Sequence, residues 1–217
     1  MAVGSAVNPI TLRGEAREPG FWAGLRVLSA NPDNRLEHVL VSDGGDANVL
    51  VDASGSLGVH GSSFSNALGV GLRVAPGARL LSFEANRFFA NGGAALELPL
   101  GELGQLDGGS QYRGPGGLEN GLEAIVVTGG SVSAGVSATW ASTDAPYRLN
   151  GVLSVQGEVT VAEGARFEAA RDARLEVTGE GSLRALGSDE ARIAFQGVAS
   201  EKGYWQGLHL LSSSPEN

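Results

Sequence analysis

Few residues in this chain could do chemistry, and their spacing decides what that chemistry would be. Asp43, Asp46 and Asp52 lie close together in sequence, and hard carboxylate oxygens suit a calcium ion. Their spacing crosses a turn and part of a strand, however, and turns favour aspartate for local backbone hydrogen bonds. Solvated turn residues are the reading that follows. His38, His60 and His209 are scattered, with no His-x-x-x-His or similar metal-ligand spacing. A serine nucleophile would want a Gly-x-Ser-x-Gly elbow between a strand and a helix, and the chain has no such motif. Cysteine is absent, which removes disulfides, thiolate metal sites and thiol catalysis together. No catalytic residue, metal ligand or cofactor is assigned.

Carboxylates that meet only in space could still hydrolyse a glycosidic bond. His60 and Glu84 stand 24 residues apart and would touch if the chain coiled with that period, although an exposed pair of this kind contributes little. Aromatic side chains offer a second chemistry, since a sugar ring stacks on an exposed aromatic face. Tyr112, Trp140 and Tyr147 are the candidates for such a lateral carbohydrate-binding face. A regular Thr array for ice binding is missing: six Thr occur, with no Thr-x-Thr.

What must position these residues is written in the composition and the repeats. The 217 residues include 34 Gly and 8 Pro, with 42% hydrophobic and only 18% charged residues. That balance is too apolar for disorder and too glycine-rich for a helical protein. The formal charge is −9 and Lys202 is the only lysine. Nucleic acid is therefore discounted as a partner, because its binding needs clustered Lys and Arg. No apolar run approaches the roughly 20 residues that span a bilayer, so membrane insertion is not expected. Met1 to Pro9 carries no signal-peptide pattern, and a targeting segment trimmed from the chain is the expectation.

Two repeats set the architecture. Residues 10–34 and 193–217 match at a constant offset of 183, with 12 of 25 positions identical, including Trp22/Trp205, Gly24/Gly207 and Leu25/Leu208. A shorter repeat places apolar residues at spacings of 5, 8 and 2: Leu36, Val41, Val49, Val51; then Val59, Phe64, Leu72, Val74; then Phe83, Phe88, Leu96, Leu98. Alternation such as Leu-x-Val reads as a short strand, and Gly, Asn and Asp between the strands read as turns. A unit of about 24 residues with three strands and three turns is one rung of a coil, which buries its apolar face only by stacking on the next. About nine rungs at ~4.8 Å each are expected, with Phe64 stacked over Phe88. Residues 99–121 are glycine-rich and aperiodic, and read as a projecting loop. Glu163 to Val177 has some helix-forming residues, but its flanks alternate with period two.

From Pro146 onward the sequence carries a Pro-Tyr opening, a strand ending in a glycine turn (VAEGARF), a Gly-x-Leu-x-Ala-x-Gly rung from Gly181 to Gly187, and Ile-x-Phe-x-Gly leading to Trp-x-Gly-Leu. These pieces, in this order, resemble the right-handed parallel β-helix repeat proteins of bacterial surfaces. With the rungs from Leu36 to Leu98 the resemblance covers most of the chain. It implies one all-β β-solenoid domain over residues 1–217, in a secreted or cell-surface protein, with a non-catalytic role as a stalk, spacer or adhesive module. In it Trp22 and Trp205 would lie against a coil that Gly24 and Gly207 allow to approach closely. Unpaired strand edges at the ends would favour end-to-end self-association; a carbohydrate or a surface protein is the other expected partner. The same scaffold carries polysaccharide-active enzymes, so a carbohydrate-binding or polysaccharide-active role is the alternative. Of the polygalacturonase-type motifs, however, only a partial Gly-His-Gly echo occurs, at Gly58-Val-His60-Gly61.

Overall fold

The computed structural model describes residues 1–215; the repeat positions Glu216 and Asn217 lie outside the described residues. Almost every regular element is a short strand, and every strand pair given a register is parallel. The chain is a parallel β-solenoid. It forms two compact units, the first from residues 1–98 and 109–125, the second from residues 99–108 and from Val126 onward.

The first unit has four turns of three strands each. They are β1 (Ala2–Val3), β2 (Ile10–Leu12) and β3 (Leu25–Val27); β4 (Arg35–Glu37), β5 (Val39–Ser42) and β6 (Ala47–Val51); β7 (Ser56–His60), β8 (Ser63–Ser65) and β9 (Val70–Val74); and β10 (Arg79–Glu84), β11 (Arg87–Phe89) and β12 (Ala94–Leu98). First strands pair with first strands in the order β1-β4-β7-β10, and the second and third strands do the same. The 5-8-2 spacing is the direct cause. Its first residue falls on sheet one, its second on sheet two and its last pair on sheet three, so Leu36, Val59 and Phe83 share a column. Val41, Phe64 and Phe88 share another, and Val49, Leu72 and Leu96 a third. All nine are buried. Each such side chain contributes roughly 1.5–3 kcal/mol by leaving water.

The corners repeat as faithfully as the strands. His38, Gly61 and Ala85 have φ of 51°, 55° and 55°, and Asp43, Asn66 and Ala90 have φ of 67°, 55° and 54°. Each triplet recurs at the turn period, so one left-handed residue bends the chain at the same corner of successive turns. Only Gly61 is free of the steric cost of that conformation.

β13 (Leu122–Val127) is divided between the two units. The second unit then has three turns and the opening strand of another: β14 (Gly130–Val132), β15 (Ser137–Trp140) and β16 (Tyr147–Leu149); β17 (Val152–Val155), β18 (Glu158–Val161) and β19 (Arg166–Ala169); β20 (Arg174–Val177), β21 (Ser182–Ala185) and β22 (Ala194–Gly197); and β23 (Gly207–Leu210). Glu163 to Val177 thus holds two strands and no helix. Turn length varies here: a short turn sets Tyr147 opposite Phe167, while a much longer one separates Leu175 from Leu208, its partner on the next turn. Long corners consume chain, and the two units have seven full turns between them where about nine were expected.

Residues 99–121 pack more than a projecting loop would. A 3-10 helix at Leu100–Gln105 buries Leu100 and Leu103 in the second unit, against β14 and β15. Ser110, Tyr112 and Asn120 are buried in the first. The stretch around residues 113–119 is mostly exposed to solvent.

Candidate functional site

The three candidate sugar-stacking residues belong to the core. Tyr112, Trp140 and Tyr147 are each 0% exposed, so none presents an aromatic face to a ligand. Tyr112 continues the phenylalanine column, its ring 5.7 Å from that of Phe88 and 5° from parallel. Tyr147 stacks on Phe167 at 5.2 Å, and Phe167 on Phe195 at 4.6 Å. Trp140 packs tilted against the same Phe167, and its indole N–H has no acceptor among the described residues. The reason is register: Trp140 is the inward residue of the alternating Ser137–Trp140 strand, and Tyr147, with Leu149, faces inward from Tyr147–Leu149. Burial pushes the Tyr147 phenol far above its ordinary pKa of 10.0, and its hydroxyl donates to the Ala141 carbonyl at 2.7 Å.

The acidic trio does not converge. Asp43 is buried and accepts hydrogen bonds from the Asn66 amide at 2.7 Å and the Ser42 hydroxyl at 3.0 Å. Asp46 pairs with Arg73, which also holds Glu97. Asp52 pairs with Arg26 and accepts from the Ala53 N–H at 2.7 Å. That backbone bond, with the Arg26 guanidinium second, holds the Asp52 carboxyl below its usual range. No cluster of three metal-ligating side chains occurs among the described residues.

His60 and Glu84 do meet. They face one another in register at the ends of β7 and β10, with His60 Nδ1 3.5 Å from a Glu84 carboxylate oxygen. The His38 ring stands edge-on to His60 at 5.6 Å, and Glu37 precedes it in the same column. A carboxylate beside an imidazole can pass a proton, but both side chains here are open to water, where such contacts are weak.

Two features were not foreseen from sequence. One is a pair of buried polar ladders. Ser62, Asn86 and Ser110 recur at the turn period: the Ser62 N–H donates to Asn86 Oδ1 at 3.0 Å, and the Asn86 N–H to Ser110 Oγ at 2.8 Å. Asn48, Asn91 and Asn120 form the second, with Asn91 donating to Asn120 Oδ1 at 2.9 Å and to the Phe64 carbonyl at 3.1 Å. The other is a recess of about 210 Å³ in the first unit, lined by Arg87, Phe89, Gln111, Arg113 and Leu118 among others. Arg87 donates to the Gln111 amide oxygen at 3.0 Å across its wall.

The duplicated Trp-x-Gly-Leu turn occupies the first turn of one unit and the last of the other. Trp22 donates its indole N–H to the Ser42 carbonyl of the next turn at 2.7 Å. At Gly24, with φ of +87°, a Cβ would lie 2.2 Å from the Ala47 carbonyl oxygen, so glycine is what lets β6 approach. Gly207 has nearly the same conformation, with φ of +95°, and nothing within 4 Å of that position. No match to this chain is found among protein-family models, curated proteins or solved structures.

Proposed function

We propose that the chain is a structural β-solenoid segment of a secreted or cell-surface protein, serving as a stalk or spacer rather than as a catalyst. One observation carries this reading. A single stretch of sequence, used twice, builds a turn that pairs on one side in the first unit and on the opposite side in the second. A turn able to pair on both sides lengthens a coil by repetition, which is the economy of a spacer. The resemblance to bacterial surface β-helix proteins points the same way. Antibody raised against the chain should label intact producing cells, and protease shaving of those cells should abolish the label. Labelling only after permeabilisation overturns the surface assignment.

Carbohydrate binding is the second reading, and the recess beside Arg87 and Arg113 favours it. Its lining joins Arg87 and Arg113 to Phe89 and Leu118, a mix of cationic and apolar groups that suits an anionic sugar. At about 210 Å³ it is below the roughly 300–1,000 Å³ of most ligand cavities, so one ring is the most it would enclose. Binding of an acidic polysaccharide that is lost in Arg87→Ala would support this reading, and equal binding by that variant would end it.

A further inference from the structure

Three Asn-Gly pairs occur in the chain, at Asn91-Gly92, Asn120-Gly121 and Asn150-Gly151. Such a pair carries latent chemistry. The glycine backbone nitrogen can attack the asparagine side-chain carbonyl, because glycine has no Cβ to stand in the way and turns readily into the conformation required. Within a fold the reaction needs an asparagine amide that no partner holds, a glycine N–H that is not spent on a hydrogen bond, and access for water. The three pairs differ in these respects.

Asn91 and Asn120 are locked. Both are buried, and both ends of each side-chain amide are engaged. Asn91 donates to the Phe64 carbonyl and to Asn120 Oδ1, and its own Oδ1 accepts from the Ala67 N–H at 3.1 Å. Asn120 donates to the Phe88 and Tyr112 carbonyls at 3.2 and 3.1 Å, and accepts from the Asn91 N–H at 3.2 Å. The attacking nitrogens are held too, Gly92 donating to the Ala67 carbonyl at 2.9 Å and Gly121 to the Asn91 carbonyl at 2.8 Å. Asn150-Gly151 is the opposite case. It forms the corner between β16 and β17 in the second unit. The Asn150 N–H donates to the Val127 carbonyl, and the Gly151 carbonyl accepts from the Arg174 N–H, each at 3.0 Å, so the main chain is anchored on both sides. Between those anchors neither the Asn150 side chain nor the Gly151 N–H has a hydrogen-bond partner among the described residues. Asn150 is half-buried and Gly151 exposed, and Gly151, with φ of +71°, has nothing within 4 Å of its Cβ position.

We propose that Asn150 is a site of self-catalysed deamidation. The Gly151 backbone nitrogen gives up its proton to water or hydroxide and bonds to Asn150 Cγ; the Cγ–Nδ2 bond breaks, and the leaving nitrogen takes a proton from water and departs as ammonia. One water then opens the five-membered succinimide at either of its carbonyls, giving aspartate or isoaspartate. The balance is one side-chain amide and one water for one carboxylic acid and one ammonia, with no oxidant, reductant or cofactor. The new carboxylate adds a negative charge at the corner. The isoaspartyl product also adds one carbon to the main chain there, between Leu149, in register with Ala169, and Val152, in register with Arg174. The Gly151 carbonyl is displaced from the Arg174 N–H, and the turn loosens locally as the product accumulates. None of this depends on a cell-surface location, so its failure would leave the spacer reading intact.

The test is to age the folded chain in mildly alkaline buffer and to follow all three pairs by peptide mass spectrometry that separates aspartyl from isoaspartyl forms. Both products should appear at position 150 at least tenfold faster than at Asn91 or Asn120, which the fold protects. In denaturant, where that protection is gone, the three pairs should convert at similar rates. Asn150→Gln, whose longer side chain would have to close a six-membered ring, should stay unconverted over the same time. Amide exchange at Arg174 should quicken in the aged wild-type chain and not in the aged variant. An Asn150 that stays intact in the folded chain while it converts in denaturant overturns the proposal. So does conversion of Asn91 or Asn120 in the folded chain as fast as that of Asn150. Aspartate without isoaspartate overturns the succinimide route, and unchanged exchange at Arg174 overturns the loosening of the turn.

Discussion

Phe64 and Phe88 sit in register on neighbouring turns, their rings 5.0 Å apart and 16° from parallel, and neither is more than 1% exposed. Phe88 also stacks on Phe83 at 6.1 Å and on Tyr112 at 5.7 Å, so it is the centre of the aromatic column in the first unit. Phe88→Ala should cost about 3–5 kcal/mol, the sum of lost transfer energy and an unfilled cavity. Chemical denaturation followed by tyrosine and tryptophan fluorescence measures it. A loss under about 1 kcal/mol, well short of that range, would mean that the column does not carry the stability assigned to it.

The asparagine ladder invites a sharper substitution. Asn91 accepts from the Ala67 N–H at 3.1 Å and from the Asn48 amide at 3.2 Å, and donates to the Phe64 carbonyl and to Asn120. Asn91→Ala removes one partner from each of these groups inside the coil, where an unsatisfied polar group costs about 1–3 kcal/mol. The expected loss is at least ~3 kcal/mol, and Asn91→Asp should not restore it because the carboxylate has no N–H to donate. Amide hydrogen exchange at Ala67 should quicken in Asn91→Ala, which removes the acceptor of its N–H. Unchanged protection there would show that the ladder is dispensable.

How far the sequence foretold these features depends on which direction a side chain points. Leu36, Phe64, Leu72 and their counterparts were legible because a steady period with fixed internal spacing places like residues in one column. The Phe64 over Phe88 stack followed from that alone. Trp140 and Tyr147 were not legible, since each stands in a short strand whose inward face is set by its neighbours on adjacent turns. Leu100, Leu103 and Tyr112 lie in an aperiodic stretch, and only the finished coil offers them a place to bury. Asn86 and Asn91 escaped because apolar periodicity cannot register a polar core residue. The recurrence of Ser62, Asn86 and Ser110 at the turn period was the signal that could have revealed one ladder.

Gly24 and Gly207 form a natural contrast. Both need positive φ, which costs a residue with a Cβ roughly 1–2 kcal/mol. At Gly24 the added carbon also runs into the backbone of β6, 2.2 Å from a carbonyl oxygen that no side-chain rotation can move. Gly24→Ala should therefore destabilise by clearly more than Gly207→Ala, whose cost should stay near the backbone strain alone. Thermal unfolding of the two variants at low protein concentration makes the comparison. Equal losses would mean that the space over Gly207 is already filled.

Tyr147 gives the fold a defined alkaline limit. Its phenol is fully buried and its pKa is raised, first by burial, whereas in the unfolded chain it ionises near pH 10. A group whose folded pKa lies above its unfolded one contributes stability that is fully present below the unfolded value. That contribution is lost as pH rises from about 10 towards the folded pKa, because only the unfolded chain then releases the proton. Tyr147→Phe cannot ionise, so this part of the pH dependence should vanish. At neutral pH the variant should be weaker by about 0.5–1.5 kcal/mol, since it loses the hydrogen bond to the Ala141 carbonyl. Above pH 10 the gap should narrow and then reverse. Parallel stability curves for the two proteins from pH 7 to pH 11 would show that Tyr147 does not stay protonated inside the coil.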